Sequence, residues 1–360
     1  MKVAILSNSS QALLTKTLKD KGHEVVLLNP SQIYLYISEY ESGYDRVYIE
    51  SSNPNQPERL NMSGIDAIIP RISGANFFYA CAVVRHFEDC LGVYSTGSSL
   101  GMTIATNKFW TSQKLSEAKI RQPKTVFADY PQYPKFLIDL VGGLPAVGKL
   151  PRGSQGKQVF IMESEVGANT TLQTLYSLKQ NVIIQQYIEN GAKDIRAIVI
   201  GDKVVSAMER KGKNDFRANL SQGGSGRDVL SELTETEKAN CVKCAKALGL
   251  DFAGIDFIRL APDNCYFLEV NGGNSGEKII NITGRNHYED LVALIESKVK
   301  KASTTTTNQV EKSIPTPSTQ EDSENEIAEK EYNRLKVKSF HTPDEAGKYT
   351  FLSRMFGKKA

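Results

Sequence analysis

In the stretch YFLEVNGGN (Tyr266–Asn274), two oxygen-bearing side chains, Glu269 and Asn271, interrupt an apolar run at alternate positions. Residues two apart in a strand share a face, so both point opposite Leu268 and Val270. Taken alone, that is the alternation of a half-exposed strand. Just upstream, AGIDFIRL (Ala253–Leu260) is a second apolar run with one acid, Asp256, and APDN (Ala261–Asn264) between them has the chemistry of a turn. A hairpin centred between Pro262 and Asp263 places Asp256 directly opposite Glu269, with Cβ atoms roughly 4.5–5.5 Å apart. Two carboxylates so close repel unless a cation lies between them. Two acids and one neutral amide leave coordination positions for water and phosphate oxygens, which is how magnesium is usually held. Asp256, Glu269 and Asn271 are therefore the expected metal ligands.

A second group of residues suits phosphate. GLPAVGKL (Gly143–Leu150) has P-loop spacing up to its lysine, but Leu150 stands where Ser or Thr belongs and Pro151 follows where a helix should begin. What remains is Lys149 in a strand next to RGSQGK, a glycine-bracketed tip with backbone N–H groups suited to covering phosphates. The C-x-x-C of Cys241 and Cys244 lies in a helical pattern without a second pair and reads as helix-packing thiols. The four histidines, His23, His86, His287 and His341, suggest no nucleophilic triad and read as structural or surface residues.

The elements that must position these residues are legible in outline. KVAILSN, the helix-like SQALLTKTLKDKG and EVVLLNP form a strand–helix–strand start of an open α/β sheet, extended by DAIIPRI and a helix through FYACAVVRHFEDCLG. No G-x-G-x-x-G follows the first strand, so no dinucleotide site is expected. A helix around ATNKFWTSQKLSEAK has Thr106 or Asn107 as its cap. PAVGKL, KQVFIM, NVIIQQYI, DIRAIVIG and KVVSAMER read as strands with few long crossovers, an α+β pattern, and HYEDLVALIESKVKK as a helix closing the globule near Lys301. From Ser303, the Thr-, Ser-, Pro- and acid-rich STTTTNQVEKSIPTPSTQEDSENE has little to bury and is expected to be disordered. EIAEKEYNRLKVKSF has the pattern of a short amphipathic helix, and YTFLSRMFGKKA sets aromatics beside basic residues. The formal charge of +3, from 44 basic and 41 acidic residues among 360, points to no particular polyelectrolyte partner. The start lacks the run of a secretion signal and no stretch of about 18 apolar residues exists to span a bilayer. With five cysteines, the expectation is a cytoplasmic protein with reduced thiols, acting on neither membrane nor nucleic acid.

Lys108, Lys149, the glycine loop, IIQQYI, DIR, ERKGKNDFRANLSQGG, Asp256 and EVN, in that order, resemble the ATP-grasp superfamily. IIPRISGANFFYACAVVRHFE and NDFRANLSQGG are similar to its RimK-like α-L-glutamate ligases. The resemblance covers about residues 1 to 300. It implies a small open α/β pre-ATP-grasp domain (1–95), a central ATP-grasp lobe (96–185), a C-terminal lobe with the metal site (186–301) and a low-complexity tail (302–360). It also implies ATP between the lobes, with Lys108 and Lys149 on the phosphates and Gln186, Tyr187 and Ile188 lining adenine. Asp194 would stand beside the nucleotide, with Arg217, Ala218 and Asn219 at the phosphates. Arg196, Arg210 and Arg217 would be the catalytic arginines, and magnesium or manganese, as two ions, would sit on Asp256, Glu269 and Asn271. The implied reaction joins an amino acid, glutamate favoured, to a carboxylate of a protein or peptide such as a protein C-terminus, through an acylphosphate. The alternatives are ligation to a small molecule or carrier protein, and an ATP-binding interaction protein without turnover. The family also implies a homo-oligomer. This chain departs from the family pattern at Gln186, where Glu is usual, at Asn107, where Asp is common, and in GGNSGEKIINITG after Asn271.

Overall fold

The computed structural model describes residues 1–37, 46–49, 58–59, 64–72, 74, 76–129, 133–153, 158–213, 224–272 and 277–310. Residues 1–304 form one compact unit.

The first part runs β1 (Lys2–Ser7), α1 (Ala12–Asp20), β2 (Glu24–Leu28), β3 (Ile33–Tyr36), β4 (Arg46–Ile49), β5 (Glu58–Arg59), β6 (Ile65–Arg71), α2 (Phe77–Arg85) and β7 (Tyr94–Ser95). The strands pair in parallel in the order β2-β1-β6-β7. Val3, Ala4, Ile5 and Leu6 are all fully buried, the continuous apolar run of a parallel strand covered on both faces. This is the expected open α/β unit. A small antiparallel sheet, β3-β4-β5, was not legible beforehand because its strands are only two to four residues long.

The second part holds α3 (Ser99–Ala105), α4 (Lys108–Glu117), β8 (Thr125–Ala128), α5 (Pro134–Leu140), β9 (Ala146–Lys149), β10 (Val159–Met162), α6 (Glu165–Ser177) and β11 (Val182–Gln186). Its sheet is antiparallel, ordered β10-β9-β11-β8. Asn107 is the cap of α4: its side chain accepts from the backbone N–H of Phe109 and Trp110. Gly148 pairs with Phe160. A Cβ there would lie 2.2 Å from that ring, so only glycine lets Phe160 cover the strand beside Lys149.

The third part comprises β12 (Lys193–Ile200), β13 (Lys203–Lys211), β14 (Ser225–Asp228), α7 (Glu235–Ala247), β15 (Phe252–Ala261), β16 (Asn264–Gly272), α8 (Lys278–Thr283) and α9 (Tyr288–Val310). Its antiparallel sheet is ordered β14-β13-β12-β15-β16. On one face Ile195, Ala197 and Val199 pack in the same core as Cys241 and Cys244 of α7. On the other, Ile198 and Ile200 join Ile279, Tyr288 and Leu291 of α8 and α9. Along that second face β12 changes from Asp194 and Arg196 to Ile198 and Ile200, so helices cover one half and the other half carries charge.

α7 starts with a capping box in which Thr234 and Glu237 satisfy each other's backbone N–H. Buried Glu237 also accepts from Arg259 Nε (2.7 Å), Asp263 N (3.1 Å) and Cys265 Sγ (3.2 Å), which ties the helix to the β15–β16 turn. The five cysteines are free, and the buried Cys241 and Cys244 are the packing thiols expected. The last helix continues to Val310, past Lys301 where the pattern was expected to close. The remainder of the expected tail, 311–360, lies outside the described residues. Among the described residues no helix is long and apolar enough to cross a membrane.

Candidate active site

Asp256 and Glu269 are direct partners across β15 and β16, and Asn271 stands opposite Gly254 on the same face. Simple counting from the turn finds this pairing because two register shifts cancel. One lies between Asp256 and Phe257, and the other between Arg259 and Ala261. The first shift puts Phe267 opposite Phe257, so Phe267 and Val270 pack into the α7 core while Glu269 keeps the polar face. Asp263 makes the turn with φ of 61°, a left-handed conformation that Asp tolerates.

The cations that meet Asp256 are, in this structure, two guanidinium groups. Arg196, paired with Asp256 across β12 and β15, donates from Nε to Oδ1 (2.7 Å) and from Nη2 to Oδ2 (2.5 Å). Arg210 on β13 forks onto Asp194 at 2.6 and 2.5 Å and reaches Asp256 Oδ1 at 3.2 Å. Asn271 Nδ2 donates to Asp256 Oδ2 at 3.4 Å. Burial by itself would raise the Asp256 carboxyl; the charges of Arg196 and Arg210 outweigh it and hold its pKa below the usual value. Among the described residues the Glu269 carboxylate makes no hydrogen bond or ion pair.

Lys149 and Gln185 come from the second sheet. Lys149 ends β9, and its Nζ donates to Gln185 Oε1 at 2.6 Å. Gln185 is held in turn by its Nε2 bond to Thr125 Oγ1 (2.9 Å). Burial lowers the Lys149 ammonium to about 8; the Glu269 carboxylate opposes that shift and the Lys108 charge adds to it. Lys149 of the second sheet thus lies within electrostatic reach of Glu269 of the third sheet and of Lys108 of α4. Lys108, the first residue of α4, donates from its backbone N–H to Pro151 O (2.9 Å) and from Nζ to Gly153 O (2.8 Å), beside the glycine tip. Gln186 ends β11 and receives Lys124 N–H on its side-chain oxygen at 3.3 Å, and half-buried Tyr187 and Ile188 leave the sheet behind it.

Of the expected site residues, the structure gathers Asp194, Arg196, Arg210, Asp256, Glu269 and Asn271 on one sheet face and sets Lys149 within electrostatic reach of both Glu269 and Lys108. Arg217, Ala218 and Asn219, with residues 154–157 of the glycine tip and 273–276 of the loop after Gly272, lie outside the described residues.

Residues 105–295 match the family described as "RimK-like ATP-grasp domain", and residues 1–102 match "RimK PreATP-grasp domain". A "Probable alpha-L-glutamate ligase" of Maridesulfovibrio salexigens is 37% identical over 315 residues, covering 85% of this chain and 99% of that protein. The chain belongs to the RimK-like ATP-grasp family. It is an ATP-grasp ligase, of a class that forms carbon–nitrogen bonds. A Vibrio cholerae protein also called "Probable alpha-L-glutamate ligase" is 36% identical over 312 residues, covering 85% of this chain and 99% of its own. Solved structures share the RimK-like fold at low identity. ATP-grasp ligase PsnB, complexed with minimal precursor, Mg and ADP, has a TM-score of 0.62 at 17% identity over 83% of this chain and 98% of its own. Macrocyclase MdnC, bound with precursor peptide MdnA, from Microcystis aeruginosa, has a TM-score of 0.59 at 16% identity over 84% and 100%.

The donor set suits a hard cation: two carboxylates and an amide oxygen on adjacent strands of one face. Among the described residues no three His, Cys, Asp or Glu side chains form a metal cluster. Sequence reasoning missed Gln185, which orients Lys149, although a polar residue inside VIIQQ, 5% exposed, was the available signal. It also missed that Arg196 and Asp256 pair, because β12 and β15 are 60 residues apart.

Proposed function

We propose that this enzyme uses ATP to join the amine of an amino acid, glutamate in the first instance, to a carboxylate of a peptide or protein. The observation that carries the reading is that Lys149, beside Lys108, lies within electrostatic reach of Glu269 on the Asp256–Glu269–Asn271 face. The family membership and the names of the curated relatives favour glutamate; the neighbours bound to precursor peptides favour a peptide acceptor.

On this reading an oxygen of the acceptor carboxylate attacks the γ-phosphorus of ATP, and ADP leaves. The amine then attacks the acyl carbon of the acylphosphate, inorganic phosphate departs and the nitrogen gives up its proton. Lys149, fixed by Gln185, and Lys108 offset the phosphate charge, while Gln186, Tyr187 and Ile188 line the adenine side. Arg210 holds Asp194 and Asp256 in place, and Arg196 is the cation able to turn from Asp256 toward an incoming anion, being the more exposed of the two. Arg217, Ala218 and Asn219 complete the phosphate contacts. Asp256, Glu269 and Asn271 would hold magnesium or manganese, as two ions, whose charge would offset that of the phosphoryl oxygens. The working parts are a pre-ATP-grasp domain (1–95), lobes at 96–185 and 186–301, and a tail from 302.

Incubation with ATP, magnesium, glutamate and candidate acceptors, read by mass spectrometry, tests this. A gain of one glutamyl residue on a peptide is the expected result. Gain only on a small molecule or carrier protein shifts the acceptor class, and no amino-acid-dependent ADP release refutes ligase chemistry.

A further inference from the structure

The phosphate-facing role proposed for Lys149 depends on how its ammonium is held, and two uncharged side chains hold it. In the β10-β9-β11-β8 sheet, Val182 and Ile184 of β11 pack with Leu137 and Ile138 of α5 and Leu172 of α6. Strand alternation puts Ile183 and Gln185 on the opposite face, where Lys149 of β9 is the register partner of Ile183 and Thr125 of β8 that of Gln185. Gln185 is buried, and a buried amide costs free energy unless both of its ends are bonded. Both are: Oε1 accepts from Lys149 Nζ at 2.6 Å, and Nε2 donates to Thr125 Oγ1 at 2.9 Å.

Thr125 decides which way round the amide lies. Its hydroxyl has one hydrogen, which it donates to Pro123 O at 2.8 Å, so toward Gln185 it presents lone pairs alone. Only the amide nitrogen can meet them. The amide oxygen is therefore turned to Lys149, which has donors and no acceptor. Pro123 is fixed in turn from outside this sheet. It lies in the connection from α4 to β8, where Arg121 O accepts from Phe267 N at 3.0 Å. The Arg121 guanidinium lies 4.1 Å from the Tyr266 ring centre and donates to Asn264 Oδ1 at 2.7 Å and to the Tyr266 hydroxyl at 2.5 Å. Asn264, Tyr266 and Phe267 belong to β16, the strand that carries Glu269 and Asn271. Hydrogen bonds run in one direction, from Lys149 to Gln185, to Thr125 and to Pro123, and the segment that receives them is fastened to the strand of the expected metal ligands.

The amide is also neutral. A carboxylate in its place would hold Lys149 and cancel its charge, whereas the amide occupies one of three ammonium N–H groups and leaves two, with the whole positive charge, for phosphate oxygens. We infer that Thr125 and Gln185 are positioning residues for nucleotide binding: the Thr125 hydroxyl orients the Gln185 amide, and the amide aims the Lys149 ammonium at phosphate without neutralising it. This rests on the proposed function for the contact between Lys149 and phosphate, and on nothing about the amino acid or the acceptor.

The test is calorimetric titration of ATP with magnesium into the full chain and its variants, with KM for ATP and for glutamate from steady-state ADP release. Thr125→Val keeps the branched shape and removes the hydroxyl. It should weaken ATP about three- to tenfold, the effect of one hydrogen bond, and leave KM for glutamate within about twofold. Thr125→Ser restores the hydroxyl and should bind ATP within about twofold of wild type. Gln185→Glu should weaken ATP because its carboxylate neutralises the lysine. In a Lys149→Met background Thr125→Val should change ATP affinity by less than about twofold, since the hydroxyl acts through the ammonium. Wild-type ATP affinity in Thr125→Val overturns the inference, as does an equal loss in the Lys149→Met background or no recovery in Thr125→Ser. If Thr125→Val fails to fold by circular dichroism, wild-type or tighter ATP binding in Gln185→Glu overturns it. ATP binding with the expected dependences but no amino-acid-dependent ADP release counts against the ligase reading alone.

Discussion

Asp256→Asn and Glu269→Gln remove one charge each from neighbouring positions, yet their effects on stability should differ sharply. Asp256 carries a two-point bond from Arg196 and a contact from Arg210. Removing one partner of a buried pair typically costs about 3–5 kcal/mol. Three features reduce that here: the amide keeps an oxygen acceptor, Arg210 retains Asp194, and the Arg196 side chain is 20% exposed. About 3 kcal/mol remains. With an unfolding entropy of about 2 cal/mol/K per residue, a unit ending at Thr304 should lose about 5 °C in Tm. Glu269 is half-buried and its carboxylate makes no hydrogen bond or ion pair among the described residues, so Glu269→Gln should stay within about 0.5 kcal/mol. Both variants should lower turnover at least tenfold at limiting magnesium. The acid limb provides a further check. Asp256 is held below its ordinary pKa, so its stabilisation is complete above the unfolded carboxyl value of about 3.9 and is lost as pH falls through the lower folded value. Asp256→Asn should therefore be penalised at pH 7, with the difference from wild type shrinking only as pH falls through that lower folded value. Scanning calorimetry across pH with steady-state ADP release separates the terms. A Tm for Asp256→Asn within 1 °C of wild type would refute the guanidinium pairing. Near-wild-type turnover in Glu269→Gln would refute the metal assignment.

Lys149→Met should weaken ATP at least tenfold in a calorimetric titration. Its stability should change by less than about 1 kcal/mol, because relief of a buried ammonium offsets the bond lost to Gln185. Because the free enzyme's Lys149 titrates at about 8 and phosphate needs the charged form, wild-type ATP affinity should fall as pH rises from 8 to 10; Lys149→Met should lack that slope. Glu237→Gln should lower stability by about 2–3 kcal/mol, having lost half its acceptor capacity toward Arg259, Asp263 and Cys265, with KM values unchanged; a large rise in KM would contradict its purely architectural placement. A chain ending at Val310 should keep its Tm and its basal ligation, since the compact unit closes at Thr304; unfolding of that chain would show that residues beyond Val310 support it.

The sequence by itself determined what is local. Strand alternation and turn chemistry put Asp256 opposite Glu269, although the match depends on two shifts that cancel and that no residue pattern announces. Apolar runs marked β1 and β6 as strands of an open α/β sheet, and the cap of α4 was readable to within Thr106 or Asn107 because capping is decided within one turn of helix. The short sheet β3-β4-β5 was hidden because two to four residues carry too little periodicity. Only tertiary structure decided which cations meet the carboxylates. Arg196 and Asp256 lie 60 positions apart, and Lys149 and Glu269 belong to different sheets, so spacing along the chain carries no trace of their contact. The same holds for Arg71, an unremarkable arginine at the end of IIPRI until β6 sets it over Phe252 and against Tyr288, 181 and 217 positions later. Sequence fixes which groups are available; long-range packing brings them within the few ångströms over which charge and hydrogen bonding act.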